Sequence, residues 1–169
     1  MPRVGGSRVP PDADMSHLLH NASMEVRPLH EEDRVWVAET VSNVWGLPIV
    51  SISGPHDPAE LAGFVAIEAE QRLGSVTYQT TDEDCEVVTL HSIRPGRGIG
   101  TALLDAVKQV ADERGLRLWL ITTDENFNAI RFYETRGMNR RALHRDFVKI
   151  VRRYKPDSEG YRDAIEFSY

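Results

Sequence analysis

The chain has 169 residues, is 41% hydrophobic and 27% charged, and carries a formal net charge of −6. That describes one globular domain, long enough to bury a core without staples. Its single cysteine excludes an internal disulfide and a four-thiolate zinc site. No apolar run nears the roughly 20 residues of a membrane helix, and the start MPRVGGSRVPPDADMSHLLHNAS has no apolar signal stretch. The expectation is a cytoplasmic protein with no membrane attachment.

Residues 1–23 hold three Pro and two Gly and few large apolar side chains, so they read as a flexible tail, with one domain over 24–169. A first short strand is expected at Met24–Leu29. The acidic His30-Glu31-Glu32-Asp33 opens a helix in which Val35, Trp36, Ala38, Val41, Val44 and Trp45 recur at three- and four-residue steps. Gly46 and Pro48 stop it. Two strands follow, Leu61–Ile67 and Gly74–Gln79, joined by the polar stretch 68–72. Cys85–Ser92 is a third strand of this meander, rich in β-branched residues.

The turn Arg94-Pro95-Gly96-Arg97-Gly98-Ile99-Gly100 opens a helix from Thr101 to about Arg114, with Leu103, Leu104, Val107, Val110 and Ala111 on one face and Gly115 as its stop. Leu116–Thr123 is a buried type of strand. Strand, crossover helix, strand implies a parallel pair. A helix over 127–136 closes at Gly137. A strand at 140–144, a basic helix at 147–154 and an alternating strand at 164–169 complete the chain.

The glycine turn carries the first functional signal. It lies between a strand and a helix, where glycines let a ligand approach the backbone and where the first helical N–H groups have no internal partner. The helix dipole adds positive charge at the same end, which makes an anion site. The spacing is not that of a P-loop, nor of a dinucleotide fingerprint, which would follow an N-terminal strand. The basic surplus is local as well. Residues 91–155 hold 14 basic and 7 acidic residues, against 6 and 19 in the rest. A basic segment in an acidic chain suits a local anionic ligand and argues against nucleic-acid binding.

The second signal is Asn126-Phe127-Asn128-Ala129-Ile130-Arg131-Phe132-Tyr133-Glu134-Thr135-Arg136-Gly137. A glycine-turned helix followed by a strand and then Asn-x-x-Ala-x-x-Phe-Tyr-x-x-x-Gly resembles the GCN5-related N-acetyltransferase (GNAT) superfamily. The resemblance implies a mixed α/β (α+β) acyl-coenzyme A N-acyltransferase fold, with a mostly antiparallel central sheet flanked by helices. It implies acetyl-coenzyme A as cosubstrate and a primary amine as acceptor, and it allows a homodimer. By the same resemblance, the backbone amides of Arg97, Gly98, Ile99, Gly100 and Thr101 hold the pyrophosphate. Main-chain groups of Leu90 and Ser92 hold the pantetheine arm as if it were an added strand, and Asn126 contacts that arm. Tyr133 protonates the departing thiolate, and Glu86 is the general base. Pro95 stands where the family usually has Gln or Arg, and it has no N–H to give.

The chemistry needs a base because an aliphatic ammonium, with a pKa of about 10.4, must lose a proton before it attacks a thioester. His91 is the other candidate base, with the more suitable intrinsic pKa. Regular alternation puts Glu86, Val88, Leu90 and Ser92 on one face of their strand and Val87, Thr89 and His91 on the other, so without a bulge only one of the two bases faces substrate. Cys85 reads as a small core residue, and no histidine pair has metal-ligand spacing. Trp36, Trp45 and Tyr78 are candidates for the acceptor wall, and the acidic N-terminal half favours a cationic amine. Two other functions remain open on these residues: an acyl-coenzyme A-binding regulatory module without transferase activity, and a nucleotide-binding interaction domain using the same turn.

Overall fold

The computed structural model describes residues 23–160 and 162–169. The tail expected over 1–23 therefore lies, except for Ser23, outside the described residues. In chain order the elements are β1 (Glu25–Pro28), α1 (Arg34–Trp45), β2 (Ile49–Ser51), β3 (Gly54–His56), β4 (Ala62–Glu68), β5 (Gln71–Thr80) and β6 (Asp84–Ser92). They continue with α2 (Ile99–Arg114), β7 (Arg117–Thr123), α3 (Phe127–Thr135), β8 (Asn139–His144), α4 (Phe147–Arg152) and β9 (Ala164–Ser168). A seven-stranded sheet has the order β1-β4-β5-β6-β7-β9-β8. All its pairs are antiparallel except β6–β7, the pair that α2 connects.

The meander forms because β4 and β5 share a tight turn in which Ala69 and Glu70 adopt φ of 48° and 64°, the mirror-image geometry that fits strand twist. At Gly63 a Cβ would lie 2.1 Å from the Val76 carbonyl oxygen, so β4 and β5 approach as they do only because that position is glycine. The core sits between α2 and the sheet. Leu103, Leu104, Val107 and Ala111 of α2 bury against Val76 and Tyr78 of β5 and Cys85 and Val87 of β6. This helix stripe is the one that the 3.6-residue period picks out in the sequence.

At the start of α1 the fully buried Asp33 carboxylate accepts from Arg27 at 2.7 and 3.1 Å, from Arg72 at 2.9 Å and from the His30 N–H at 2.7 Å. Burial pushes this carboxyl upward, but the two guanidiniums and the amide outweigh burial and hold it well below the usual carboxylate range. The cluster ties β1 and the β4–β5 hairpin to α1.

Two features differ from the sequence reading. The segment after α1, which shows no periodicity, contains the β2–β3 hairpin. Its strands have three residues each, too few for a pattern to register, and its Gly and Pro read as turn. In β6, Thr77 of β5 opposes Thr89 while Tyr78 opposes Val87, which leaves Val88 as the extra residue of a β-bulge. The bulge overturns the expected face assignment. Glu86 faces Gln79, Thr89 faces Thr77 and His91 faces Ser75, so Glu86, Thr89 and His91 share one face while Val87 and Leu90 share the core face.

Candidate active site

The parallel pair β6–β7 is short. Only Asp84–Glu86 align with Arg117–Trp119. Beyond the bulge the two strands part, and a cavity of about 350 Å³ opens between them. Val88, Thr89 and Leu90 form one wall, Ile121, Thr122 and Thr123 another, and Asn126 and Tyr133 of the α3 segment line the same space. Buried strands normally satisfy their main-chain groups in a ladder. Among the described residues the edge of β6 past Glu86 has no strand partner on this side, which suits an extended ligand that can add as a strand.

Glu86 is 2% exposed and lines the cavity. Its Oε1 accepts from the Ser51 hydroxyl, and its Oε2 accepts from the Ser53 hydroxyl at 2.6 Å and from Gln79 Nε2 at 2.9 Å. Ser51 and Ser53 belong to the β2–β3 hairpin, which thus folds over the carboxylate. Ser53 Oγ also lies 2.8 Å from His56 Nε2. A continuous polar path therefore runs from the buried carboxylate through a hydroxyl to an imidazole on the outer strand of the hairpin.

Tyr133 is packed on Phe167 and Phe132, with centroids 5.7 and 5.4 Å away. Among the described residues no side chain or carbonyl hydrogen-bonds its hydroxyl, which faces the cavity. Burial pushes its pKa up, so the phenol keeps its proton at neutral pH. Asn126 caps α3, its Oδ1 accepting from the Ala129 N–H at 3.2 Å, while it also borders the cavity. The His91 ring packs edge-on against Trp45 at 5.9 Å, and burial lowers its pKa. Cys85 lies wholly in the core, and burial pushes its thiol up to about 11.

The glycine turn is laid out as an anion site. Gly98 takes the left-handed conformation at φ 76°, and Gly96 has φ 82°. From Gly98 onward the first N–H with a main-chain acceptor is that of Ala102, which donates to the Gly98 carbonyl at 3.0 Å. Among the described residues the N–H groups of Ile99, Gly100 and Thr101 thus have no main-chain acceptor at the helix mouth. The Arg97 guanidinium is paired with Glu68, its Nη2 donating to both carboxylate oxygens at 3.0 and 3.1 Å. Ser92 pairs with Gly74, and its hydroxyl closes a local turn with Arg94. Leu90, by contrast, lines the cavity.

Of the three aromatic candidates for the acceptor wall, only Trp45 lines the cavity. Tyr78 is in the core, stacked on Phe64 at 6.0 Å, and Trp36 lies beside Arg72. The site residues absent from the sequence reading are Ser51, Ser53, His56 and Gln79 around Glu86, and Lys155 and Arg162 between α4 and β9. For Ser51, Ser53 and His56 the only sequence signal is the polar run Ser51-Ile52-Ser53-Gly54-Pro55-His56.

A splayed parallel pair, a glycine-turned helix below it and a tyrosine across the gap define an acyltransferase architecture. Residues 46–138 match the acetyltransferase (GNAT) family. The chain is 37% identical over 137 residues to the uncharacterized protein YdhI of Bacillus subtilis (strain 168), covering 79% of this chain and 86% of that protein. Its fold is similar to Arabidopsis thaliana NAA60 in complex with acetyl-CoA (TM-score 0.67, 15% identity, covering 87% and 99% of the two chains). It is also similar to an N-acetyltransferase from Staphylococcus aureus Mu50 (TM-score 0.65, 13% identity, covering 88% and 98%). The chain belongs to the GNAT acetyltransferase family.

Proposed function

We propose that the protein transfers an acetyl group from acetyl-coenzyme A to a primary amine. The observation that carries this reading is that one cavity brings together an unpaired strand edge, a buried carboxylate and a protonated phenol, while β6 leads from it into a helix mouth whose first N–H groups have no main-chain acceptor among the described residues. The likeness to an acetyl-CoA-bound fold agrees with it.

The thioester supplies the activated acyl group, and the chain's own residues do the rest. The amides of Ile99, Gly100 and Thr101 take the diphosphate charge, which the helix dipole favours. The free edge of β6 orients the pantetheine arm, with Leu90 beside it and Asn126 opposite. Glu86 removes a proton from the acceptor ammonium, and Ser53 and His56 give that proton a way out. The amine nitrogen bonds to the acyl carbon as the carbon–sulfur bond breaks, and it yields its second proton to Glu86, whose first has already left along that path. Tyr133 donates its phenol proton to the sulfur and regains one from solvent through the cavity. Positioned proton transfers of this kind are worth about 10²–10⁴-fold each.

The test is thermal and kinetic. Acetyl-coenzyme A should raise the melting temperature by mass action, and a panel of amines should release free thiol. A shift without thiol release would favour an acyl-coenzyme A-binding module, and a shift with free nucleotides alone would favour a nucleotide-binding domain.

A further inference from the structure

The cavity holds one carboxylate and two cations, and they do not meet. Glu86 stands on β6, and all three of its side-chain partners are neutral: Ser51, Ser53 and Gln79. Lys155 and Arg162 line the same cavity from the segment between α4 and β9. Among the described residues neither has a carboxylate within ion-pair distance. Lys155 Nζ spends one donor on the Trp45 carbonyl at 3.1 Å, and Arg162 Nη2 spends one on the Glu159 carbonyl at 3.2 Å. An ammonium has three donors and a guanidinium five, so most of this capacity is free. Both side chains are partly buried, where a charge without a counter-ion is costly. Burial already lowers the Lys155 pKa. The phosphate turn does not explain them, because no residue between Ile93 and Thr101 lines this cavity.

We propose that the acceptor carries a carboxylate that Lys155 and Arg162 hold while its amine faces Glu86, so that the preferred substrates are amino-acid-like zwitterions. This assignment rests on the transferase reading above. It replaces the cationic acceptor that the acidic N-terminal half suggests, since the charges that matter are those lining the cavity. The same cavity is also lined by the apolar Trp45, Ile49, Val50 and Val151, so the body of the acceptor is apolar as well. Arginine and lysine at such a site recognise a carboxylate through charge-assisted hydrogen bonds.

The experiment compares amino acids with matched acceptors that lack the charge: each amino acid against its carboxamide and its decarboxylated amine, with thiol release read as kcat/KM. The amino acids should exceed their carboxamides by about tenfold or more, the scale of a lost hydrogen bond to a charged group. This should hold although a carboxamide's amine is less basic and more often neutral. Lys155→Met and Arg162→Met should each shrink that ratio, with KM for the amino acid rising. Carboxamides or simple amines used as well as amino acids would overturn the assignment. So would a ratio unchanged in both variants, or acetyl-coenzyme A binding with no transfer to any member of the panel. A melting-temperature rise with acetyl-coenzyme A checks that each variant is folded and retains its cosubstrate site. If the wild-type protein shows neither that rise nor any thiol release, the transferase reading itself fails, and this assignment falls with it.

Discussion

Glu86 and His91 stand on the same face of β6, five positions apart, because Val88 between them has no partner on β5. Of the two, Glu86 lines the cavity, whereas His91 packs edge-on against Trp45. Glu86→Gln should lower kcat/KM by about 10²-fold or more. The loss should be smaller at higher pH or with less basic amines, which need no base. Its Nε2 would also face the Gln79 and Ser53 donors, a mismatch worth about 1–3 kcal/mol of stability. His91→Gln should change kcat/KM by less than about threefold. Rate–pH profiles of the two variants, with denaturant melts, check both statements.

Tyr133→Phe removes a hydroxyl that has no partner among the described residues and keeps the ring packed on Phe167 and Phe132. Stability should therefore be nearly unchanged, while turnover falls by about 10²-fold and acetyl-coenzyme A affinity stays within about twofold. Because burial raises the phenol pKa, no loss of activity from tyrosine ionisation should appear below about pH 10, the ordinary value. Calorimetric titration and steady-state rates are the measurements.

Gly98→Val places a branched side chain at φ 76°, in open space at the helix mouth. Left-handed backbone costs a non-glycine residue about 1–2 kcal/mol, so the variant should still fold. The side chain would project into the space where the diphosphate is to sit, and the acetyl-coenzyme A-induced rise in melting temperature should vanish. Retention of the full rise would show that the turn does not hold the ligand.

Asp33 governs acid stability. Its carboxyl is depressed in the folded state, so its contribution is full above the unfolded value of about 3.9 and is lost as pH falls below it toward the folded value. Asp33→Asn should destabilise the protein by about 3 kcal/mol at pH 7, since it leaves Arg27 and Arg72 without their shared counter-ion. The variant should also flatten the stability–pH slope on the acid side. Urea melts of both proteins between pH 7 and pH 3 test this.

The elements legible in the sequence are those whose length lets a period show. The α2 stripe from Leu103 to Ala111, the β-branched run in β6 and the glycine turn before α2 are all local signals, and so is the Asn126–Gly137 pattern. What was illegible depends on partners. The Val88 bulge exists only relative to β5, so alternation along β6 alone assigns Glu86 and His91 to opposite faces. The β2–β3 hairpin is too short to register, yet it supplies Ser51 and Ser53 to Glu86. Lys155 and Arg162 fall between the basic helix expected at 147–154 and the last strand, where no pattern marks them, and only the return of the chain into β9 brings them to the cavity.

The pairing of Arg97 with Glu68 bears on how fast a ligand can be captured. It moors the glycine turn to the β4–β5 hairpin before anything arrives, so the amides need little ordering on binding, and the entropic cost of association is correspondingly small. The pair is also partly exposed and open to ionic screening. Raising salt should therefore slacken that mooring and slow capture beyond what weakened attraction for the anion alone would do.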